Sequence, residues 1–143
     1  MMTQKNTCEG RTAIITGARR GIGLSIAQRL FNEGAAVVLI DIDEAETLAA
    51  AQLIDSTGQR VLALKGDVRL KSDVQSIVRS VIAKFGRIDI LVNNAGISPK
   101  HDGKRASILD MDEAEWREVI DVNLTGAFLC SQAVLPSMKQ RKW

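Results

Sequence analysis

Residue types that several classes of site require are scarce in this 143-residue sequence. It has no tyrosine, 3% aromatic residues, one histidine and two isolated cysteines. A single histidine without clustered cysteines disfavours a metal site, and isolated cysteines are typical of a reducing compartment. The formal net charge of +2 is too small to indicate a nucleic-acid partner. We therefore expect no metal site and no nucleic acid.

Long apolar runs are also missing. No run approaches the roughly 18 residues that a membrane-spanning helix needs. The first ten residues are polar and lack the apolar core of a signal peptide, so we interpret them as a loose leader. We expect a cytoplasmic protein without a membrane partner. What is present, 45% hydrophobic and 25% charged residues, suffices for one folded domain over residues 1–143.

The most informative segment is Thr16–Gly23, which reads Thr-Gly-Ala-Arg-Arg-Gly-Ile-Gly. It follows an apolar run at residues 12–15 and precedes apolar residues spaced as in a helix. Glycines let the backbone turn tightly and approach a ligand, and a helix start presents unpaired N–H groups. A diphosphate is the natural ligand there. Alone the motif is weak, because such a turn can merely pack a helix on a strand.

Asp41 strengthens the interpretation of a dinucleotide site. It ends the next apolar run, residues 36–40, and lies about 20 residues beyond Gly21. A carboxylate at the tip of the second strand can accept hydrogen bonds from the ribose of an adenine dinucleotide. The alternative is that Asp41 is only a turn residue before the next helix.

Strands and helices alternate four times along the chain. The pattern predicts strands at residues 11–16, 35–41, 60–65 and 88–93, and helices at 21–33, 43–58, 72–86 and 112–138. Such alternation gives an α/β fold of the Rossmann type, a doubly wound parallel sheet with helices on both faces. We expect the strand order 3-2-1-4. The ligand crevice should lie at the carboxyl ends of the strands, where the glycine turn, Asp41, Asp67 and Asn94 fall.

Local signals refine the element boundaries. Ser72 with Gln75 forms a predicted capping box at the third helix, and Asp112 is the predicted N-cap of the fourth. Pro136 is expected to bend or end that fourth helix. Residues 94–110 are expected to form a loop.

Four motifs in this order resemble the short-chain dehydrogenase/reductase family, and within it the 3-oxoacyl-carrier-protein reductases and related dehydrogenases. They are Thr16-Gly-x-x-x-Gly-Ile-Gly23, Asp67-Val68, Asn93-Asn-Ala-Gly96 and Val122-Asn123. The resemblance covers the chain from about Arg11 to its end. It implies an NAD(P)-dependent oxidoreductase that transfers a hydride between nicotinamide and a small carbonyl or alcohol substrate.

The resemblance also implies a role for each matching position. The glycine turn would cradle the diphosphate, the Asp67-Val68 pair the adenine, and segment 94–96 the adenosine and ribose. The predicted cofactor contacts are Gly17, Arg19, Arg20, Gly21, Ile22, Gly23, Asp41, Ile42, Asp67, Val68, Asn94, Ala95 and Gly96. Asn123 matches the asparagine of the family's catalytic tetrad, which distorts its helix and binds a water of a proton relay. The alternative for Asn123 is a satisfied polar residue within a helix.

The residues near the ribose bear on the choice of cofactor. Asp41 favours NAD, because a carboxylate accepts bonds from a 2′-hydroxyl and repels a 2′-phosphate. Arg19 and Arg20 favour NADP, since a basic residue just before the second glycine often binds that phosphate in this family. We expect a fixed carboxylate to outweigh mobile surface arginines. We therefore predict NAD, with NADP as the alternative.

The family's catalytic serine and Tyr-x-x-x-Lys have no match here. The sequence has no tyrosine, and Ser131 and Lys139 lie at other positions. We expect the N-terminal part of a family member, truncated after the fourth strand and fourth long helix and inactive by itself. The alternatives are a portion of a longer enzyme, a dinucleotide-binding module without catalysis, and a non-functional fragment.

The substrate and the assembly are less readable. The basic segment Ile97–Ala106 would suit an anionic substrate group, but a solvated loop is the favoured interpretation. The family implies a homo-oligomer, a tetramer or dimer, formed through the fourth and fifth helices. Trp116, Leu124 and Phe128 are candidates for that interface, or for the core.

Overall fold

A computed structural model describes residues 7–141 and confirms the predicted architecture. The parallel strands β1 (Thr12–Thr16), β2 (Ala36–Asp41), β3 (Val61–Lys65) and β4 (Ile90–Val92) form one sheet in the order β3-β2-β1-β4. The helices are α1 (Gly21–Asn32), α2 (Glu44–Ile54), α3 (Lys71–Phe85), α4 (Glu113–Ile120) and α5 (Gly126–Arg141). A π-helical segment, Asp121–Thr125, joins α4 to α5. A short antiparallel hairpin of β5 (Lys100–His101) and β6 (Lys104–Arg105) lies in the predicted loop.

Alternate residues along the central strands face opposite helix layers. Ile15 and Leu39 are fully buried on the face that α1 and α2 cover. Ile14 and Val38 are buried on the other face, which α3 and α5 cover. Burying each such side chain contributes about 1.5–3 kcal/mol. Helices on both faces explain why these strands are almost entirely apolar.

The strand register brings the ends of the strands level with one another. Thr16 of β1 pairs with Ile40 of β2, and Asp41 pairs with Lys65 of β3. Ile15 of β1 pairs with Val92 of β4. The residues that follow all four strands therefore meet at one edge of the sheet, which we call the carboxyl rim.

The opposite end of the sheet is fastened by Asp89, just before β4. Its buried carboxylate accepts the Thr12 N–H at 2.9 Å and two hydrogen bonds from Arg87 at 2.7 and 2.6 Å. Burial raises the pKa of Asp89, but the hydrogen bonds from Arg87 and Thr12 outweigh it and leave the pKa below its ordinary value. This carboxylate joins the starts of β1 and β4.

The predicted capping box at the third helix is wrong. Helix α3 begins at Lys71 with Leu70 as its N-cap, which makes no side-chain capping bond. Asp73 instead accepts the Asp67 N–H at 3.1 Å, so a carboxylate in the first turn satisfies the preceding loop. The Asp112 prediction is confirmed, because Asp112 and Glu115 form a reciprocal capping box at α4.

Pro136 does not end the last helix, which continues to Arg141. The residues after the proline have their own contacts. Ser137 Oγ accepts the Ile88 N–H at 3.1 Å, and Met138 packs against the core beneath α3. These contacts hold the final turns despite the missing proline N–H.

The leader predicted for residues 1–10 is only partly described, since residues 1–6 lie outside the described part. Thr7 and Cys8 are not loose. Cys8 N–H donates to the Glu33 carbonyl at 2.9 Å, and the Thr7 hydroxyl donates to the Glu33 carboxylate at 3.0 Å. The start of the described chain is thereby tied to the end of α1.

Candidate functional site

The glycine turn leads from β1 directly into α1. Arg20 is the N-cap of α1, has extended backbone dihedrals and makes no side-chain capping bond. The first turn of α1 contains no acidic residue. Within the described structure, neither a capping side chain nor a first-turn carboxylate competes with an anion at this helix start.

Two glycines in the turn are required by close backbone packing. Gly17 has φ +65°, and a Cβ there would lie 2.9 Å from Ala95 Cα. A Cβ on Gly23 would lie 2.5 Å from Asn94 Nδ2. Gly21 also has a positive φ, +61°, but open space surrounds its missing Cβ. The turn is thus held tightly against the segment after β4, while its Gly21 side stays open.

Asn94 makes the polar link between these two segments. Its Nδ2 donates to the carbonyl oxygens of Thr16 at 3.0 Å and Gly17 at 2.9 Å. The Thr16 hydroxyl accepts the N–H groups of Asn94 and Ala95 at 3.1 and 3.0 Å. Four hydrogen bonds therefore fix the glycine turn relative to residues 94–95.

Asp41 lies at the end of β2 beside an arginine from the glycine turn. Its Oδ1 accepts the Ile42 N–H at 2.8 Å and lies 3.4 Å from Arg19 Nε. Arg19 Nη1 lies 3.3 Å from both Asp43 Oδ2 and Glu46 Oε2. One guanidinium is therefore surrounded by three carboxylates at this corner of the carboxyl rim.

Asp67, after β3, is paired with a residue that the sequence analysis did not single out. Arg69 contacts the Asp67 carboxylate through Nε at 3.0 Å and Nη2 at 2.6 Å, and Glu118 through Nη1 at 3.1 Å. The hydrogen bonds from Arg69 hold the pKa of Asp67 below its ordinary value. Asp67 is therefore anionic at neutral pH, and it forms an ion pair with the Arg69 guanidinium.

These segments line one open groove of about 330 Å³ at the carboxyl rim. Of the predicted cofactor contacts, it includes Gly17, Arg19, Arg20, Asp41, Ile42, Asp67, Val68, Asn94, Ala95 and Gly96. The lining residues that were not predicted are Ile40, Gly66, Arg69, Ile97, Glu118 and Val122. Gly23 is buried behind the groove, whereas Gly21 and Ile22 lie on a separate, more open surface of α1. The groove thus brings together turns that are distant along the chain.

Asn123 lies in the π-helical segment, so the helix distortion that the family resemblance implies is present. Its Oδ1 accepts the Ile97 N–H at 2.8 Å, and its Nδ2 donates to the Ile97 carbonyl at 3.0 Å. A Cβ on Gly96 would lie 3.3 Å from Asn123 Oδ1. The Asn123 side chain therefore binds the backbone that borders the groove.

The basic segment between β4 and α4 is more ordered than the predicted loop. It contains the β5–β6 hairpin, whose turn residues Asp102 and Gly103 have φ of +51° and +76°. His101 Nε2 lies 2.8 Å from Glu115 Oε1 of α4. The hydrogen bond from Glu115 raises the pKa of His101 above its ordinary value. This pair fastens the hairpin to the helix.

Two further findings concern metals and membranes. Among residues 7–141, no group of three or more histidine, cysteine and acidic side chains is arranged to hold a metal ion. The continuous helix Glu113–Arg141 is long and apolar enough to cross a membrane by length and composition alone. That criterion is weak, since core helices of soluble proteins also meet it. The expectation of no membrane partner stays a prediction.

One side of this long helix packs on the sheet and the other is open. Cys130 and Val134 are buried, and burial raises the pKa of the Cys130 thiol to about 11. Trp116, Leu124 and Phe128 are half exposed or more. In the described structure these three are surface residues and not core residues.

The family model for short chain dehydrogenases matches residues 11–143. The chain belongs to the short-chain dehydrogenase family. This confirms the resemblance drawn from the four motifs.

Two curated members of this short-chain dehydrogenase family illustrate the similarity. The chain is 41% identical over 134 residues to (2S)-[(R)-hydroxy(phenyl)methyl]succinyl-CoA dehydrogenase subunit BbsD of Thauera aromatica, covering 94% of this chain and 52% of that protein. It is 38% identical over 135 residues to the 3-oxoacyl-[acyl-carrier-protein] reductase FabG of Staphylococcus epidermidis, covering 92% and 52%. The chain spans about half the length of the curated relatives it matches.

Solved structures show the same short-chain dehydrogenase fold. A metagenomic short-chain oxidoreductase in complex with NADP superposes with a TM-score of 0.83 at 34% identity, covering 94% of this chain and 59% of that one. A second short-chain dehydrogenase structure, from Sinorhizobium meliloti, gives the same TM-score at 38% identity, covering 95% of this chain and 52% of that one.

Proposed function

We propose that this chain forms the dinucleotide-binding part of an NAD(P)-dependent oxidoreductase. In the whole enzyme, a hydride passes between nicotinamide and a carbonyl or alcohol carbon of a small substrate. The observation that carries the proposal is the groove at the carboxyl rim, which gathers the glycine turn and the ends of all four sheet strands. In open α/β sheets, ligands usually bind in a crevice at this edge, where several loops converge.

The groove fits the diphosphate of such a cofactor. A Cβ at Gly17 or Gly23 would intrude on the packed turn, and the uncapped start of α1 offers N–H groups and a positive dipole end. Gly17, Gly21, Ile22 and Gly23 would hold the diphosphate. Gly21 and Ile22 lie outside the groove lining, and their role is a contact at the helix start itself.

The adenosine half of the cofactor has matching groups on the other strands. Asp41 would accept from a ribose hydroxyl, with Ile42 beside it. The Asp67 carboxylate and the neighbouring Val68 would match the amino group and the flat ring of adenine. Segment 94–96, with its small Ala95 and Gly96, leaves room along the end of β4.

We assign the cofactor as NAD, with NADP as the alternative. The Asp41 side chain is 11% exposed and is held by a hydrogen bond from the Ile42 N–H. It therefore cannot readily rotate away from a 2′-phosphate. NADP stays the alternative because the metagenomic relative was crystallised with it and because Arg20 is exposed at the groove.

Asn123 acts in this proposal mainly as a positioning residue. Its two amide atoms are both engaged by the Ile97 backbone, which holds residues 96–97 beside the groove. The bound nicotinamide supplies the hydride donor or acceptor. The family resemblance assigns a water of a proton relay to Asn123. That water would need a hydrogen bond with Asn123 in addition to the two that the side chain makes with Ile97.

A second candidate function is a dinucleotide-binding module without catalysis. The same groove at the carboxyl rim would serve such a module, because a dinucleotide can bind there whether or not a reaction follows. A non-functional fragment is the third alternative. In the whole enzyme we also propose a cytoplasmic homo-oligomer, to which the exposed Trp116, Leu124 and Phe128 would contribute apolar surface.

Calorimetric titration of the chain with NADH and with ADP-ribose tests the proposal. We expect both to bind with similar affinity, because the groove offers groups mainly to the adenosine diphosphate portion. Gly17→Val should abolish both, since its Cβ meets the Ala95 backbone. Gly10→Val, at a glycine of positive φ with open space, is the matched control and should still bind. Absence of binding by the unmodified chain would reject the proposal and favour a non-functional fragment.

A further inference from the structure

The side chain of Arg19 is held away from free solvent by three carboxylates. Its Nε lies 3.4 Å from Asp41 Oδ1, and its Nη1 lies 3.3 Å from Asp43 Oδ2 and 3.3 Å from Glu46 Oε2. The Arg19 side chain is only 21% exposed. Arg19 is therefore not the mobile surface arginine that the sequence alone predicts.

Two of these carboxylates, Asp43 and Glu46, lie at the start of α2. Asp43 is its N-cap, and Asp43 Oδ1 accepts the Glu46 N–H at 3.0 Å. This leaves Asp43 Oδ2 directed at Arg19. Glu46 is in the first turn, where a negative side chain is favoured by the helix dipole. Helix capping therefore orients Asp43 toward Arg19, while the Glu46 carboxylate, 55% exposed, is the more open of the two partners.

The charge balance of this cluster opposes a phosphate. One guanidinium and three carboxylates have a formal sum of two negative charges next to the groove. A 2′-phosphate would meet this net negative charge and would compete with Asp43 and Glu46 for Arg19. A ribose 2′-hydroxyl carries no charge and meets no such opposition.

We propose that Asp43 and Glu46 are cofactor-selectivity residues that act through Arg19, keeping its guanidinium from pairing with a 2′-phosphate. This inference rests on the proposed dinucleotide function, and it adds residues that need not touch the cofactor. With Asp43 and Glu46 neutralised, Arg19 becomes available to the phosphate beside Asp41. Selectivity then depends on the helix α2 carboxylates as well as on Asp41.

The test compares dissociation constants for NADH and NADPH, measured by calorimetry at one salt concentration. Asp43→Asn with Glu46→Gln should lower the NADPH-to-NADH ratio of dissociation constants about tenfold, and each single change should lower it less. Asparagine retains the N-cap, which protects the helix. Glu44→Gln is the matched control, because Glu44 is in the same turn but has no ion pair with Arg19 among the described contacts.

A triple variant separates release of Arg19 from simple loss of negative charge. Adding Arg19→Gln to the double variant should remove most of the NADPH gain. The inference is overturned if the gain in NADPH affinity persists without Arg19, or if the double variant and Glu44→Gln have the same ratio of dissociation constants. In either case, NADH binding by the unmodified chain still supports the proposed function. If the unmodified chain binds neither dinucleotide, both proposals are overturned together.

Discussion

The side-chain Nδ2 of Asn94 lies 2.9 Å from the carbonyl oxygen of Gly17 and joins the end of β4 to the glycine turn. The same nitrogen donates to the Thr16 carbonyl. Because these two backbone oxygens lie where β1 leaves the sheet, the Asn94 side chain completes bonding that the ladder no longer supplies. The groove at the carboxyl rim depends on this junction.

Replacing Asn94 by alanine should therefore weaken both the fold and the groove. We expect a loss of about 1–3 kcal/mol in the free energy of unfolding, because two partly buried carbonyls lose their donor. Urea denaturation measures it. Asn93→Ala is the control, since Asn93 is exposed and its side chain donates to Ser131 Oγ, at 3.1 Å, and not to the glycine turn. Equal losses in the two variants would contradict the role given to Asn94.

Gly23→Ala should disturb the site more than an alanine at a strained but open glycine. A Cβ at Gly23 meets Asn94 Nδ2 at 2.5 Å, and overpacking of this kind costs about 1–3 kcal/mol. We expect NADH affinity to fall at least about tenfold, as the turn moves by more than its hydrogen bonds tolerate. Gly58→Ala, with φ +65° and open space, should reduce stability through strain but leave NADH affinity unchanged. Unaltered NADH binding by Gly23→Ala would be inconsistent with a close-packed cradle.

The His101–Glu115 pair predicts a pH dependence of the hairpin. The Glu115 hydrogen bond raises the pKa of His101 above 6.5, so the contribution to stability is complete below pH 6.5 and is lost as the pH rises through the raised value. Because the chain has one histidine, NMR titration of its ring gives this pKa directly. Glu115→Gln, which keeps the capping box, should return the pKa close to its ordinary value. An unchanged pKa in that variant would show that Glu115 is not the cause.

Arg87→Ala separates stability from cofactor binding. It removes the partner of the buried Asp89 carboxylate and should cost about 1.5–3 kcal/mol at neutral pH. The pKa of Asp89 lies below 3.8, so its contribution is present above that pH and is lost as the pH falls through the lowered value. The penalty should therefore shrink in acid. NADH affinity of the folded variant should not change, because Arg87 lies at the opposite end of the sheet. A large loss of NADH affinity would contradict this separation.

The fold was largely predictable because it rests on patterns that are local in sequence. Apolar runs at β1 and β2 and the glycine turn between them predict strand, turn and helix, and four repeats of this unit predict the strand order. The β5–β6 hairpin was missed because its two-residue strands have no apolar alternation. The signal that was available is Asp102-Gly103, which is typical of a tight hairpin turn.

The lining of the groove was predictable where motifs mark it, and not where distant side chains meet. Arg69 follows the Asp67-Val68 motif but pairs with Glu118, which is 49 residues further along the chain. Arg19 was interpreted as mobile because its partners Asp43 and Glu46 belong to another helix. The capping box predicted for α3 was wrong, because the Asp73 carboxylate accepts a hydrogen bond from the preceding loop. These contacts depend on tertiary packing that no local pattern specifies.

We propose above all that a dinucleotide binds in the groove at the carboxyl rim. Titrating the isotopically labelled chain with NAD and following backbone amide NMR signals tests it most directly. We predict that the largest shifts occur at residues 17–23, 41–42, 67–69 and 94–97, and that they saturate together with one dissociation constant. No saturable shifts, or shifts centred on Arg11, Arg60 and Arg87 at the opposite end of the sheet, would contradict it.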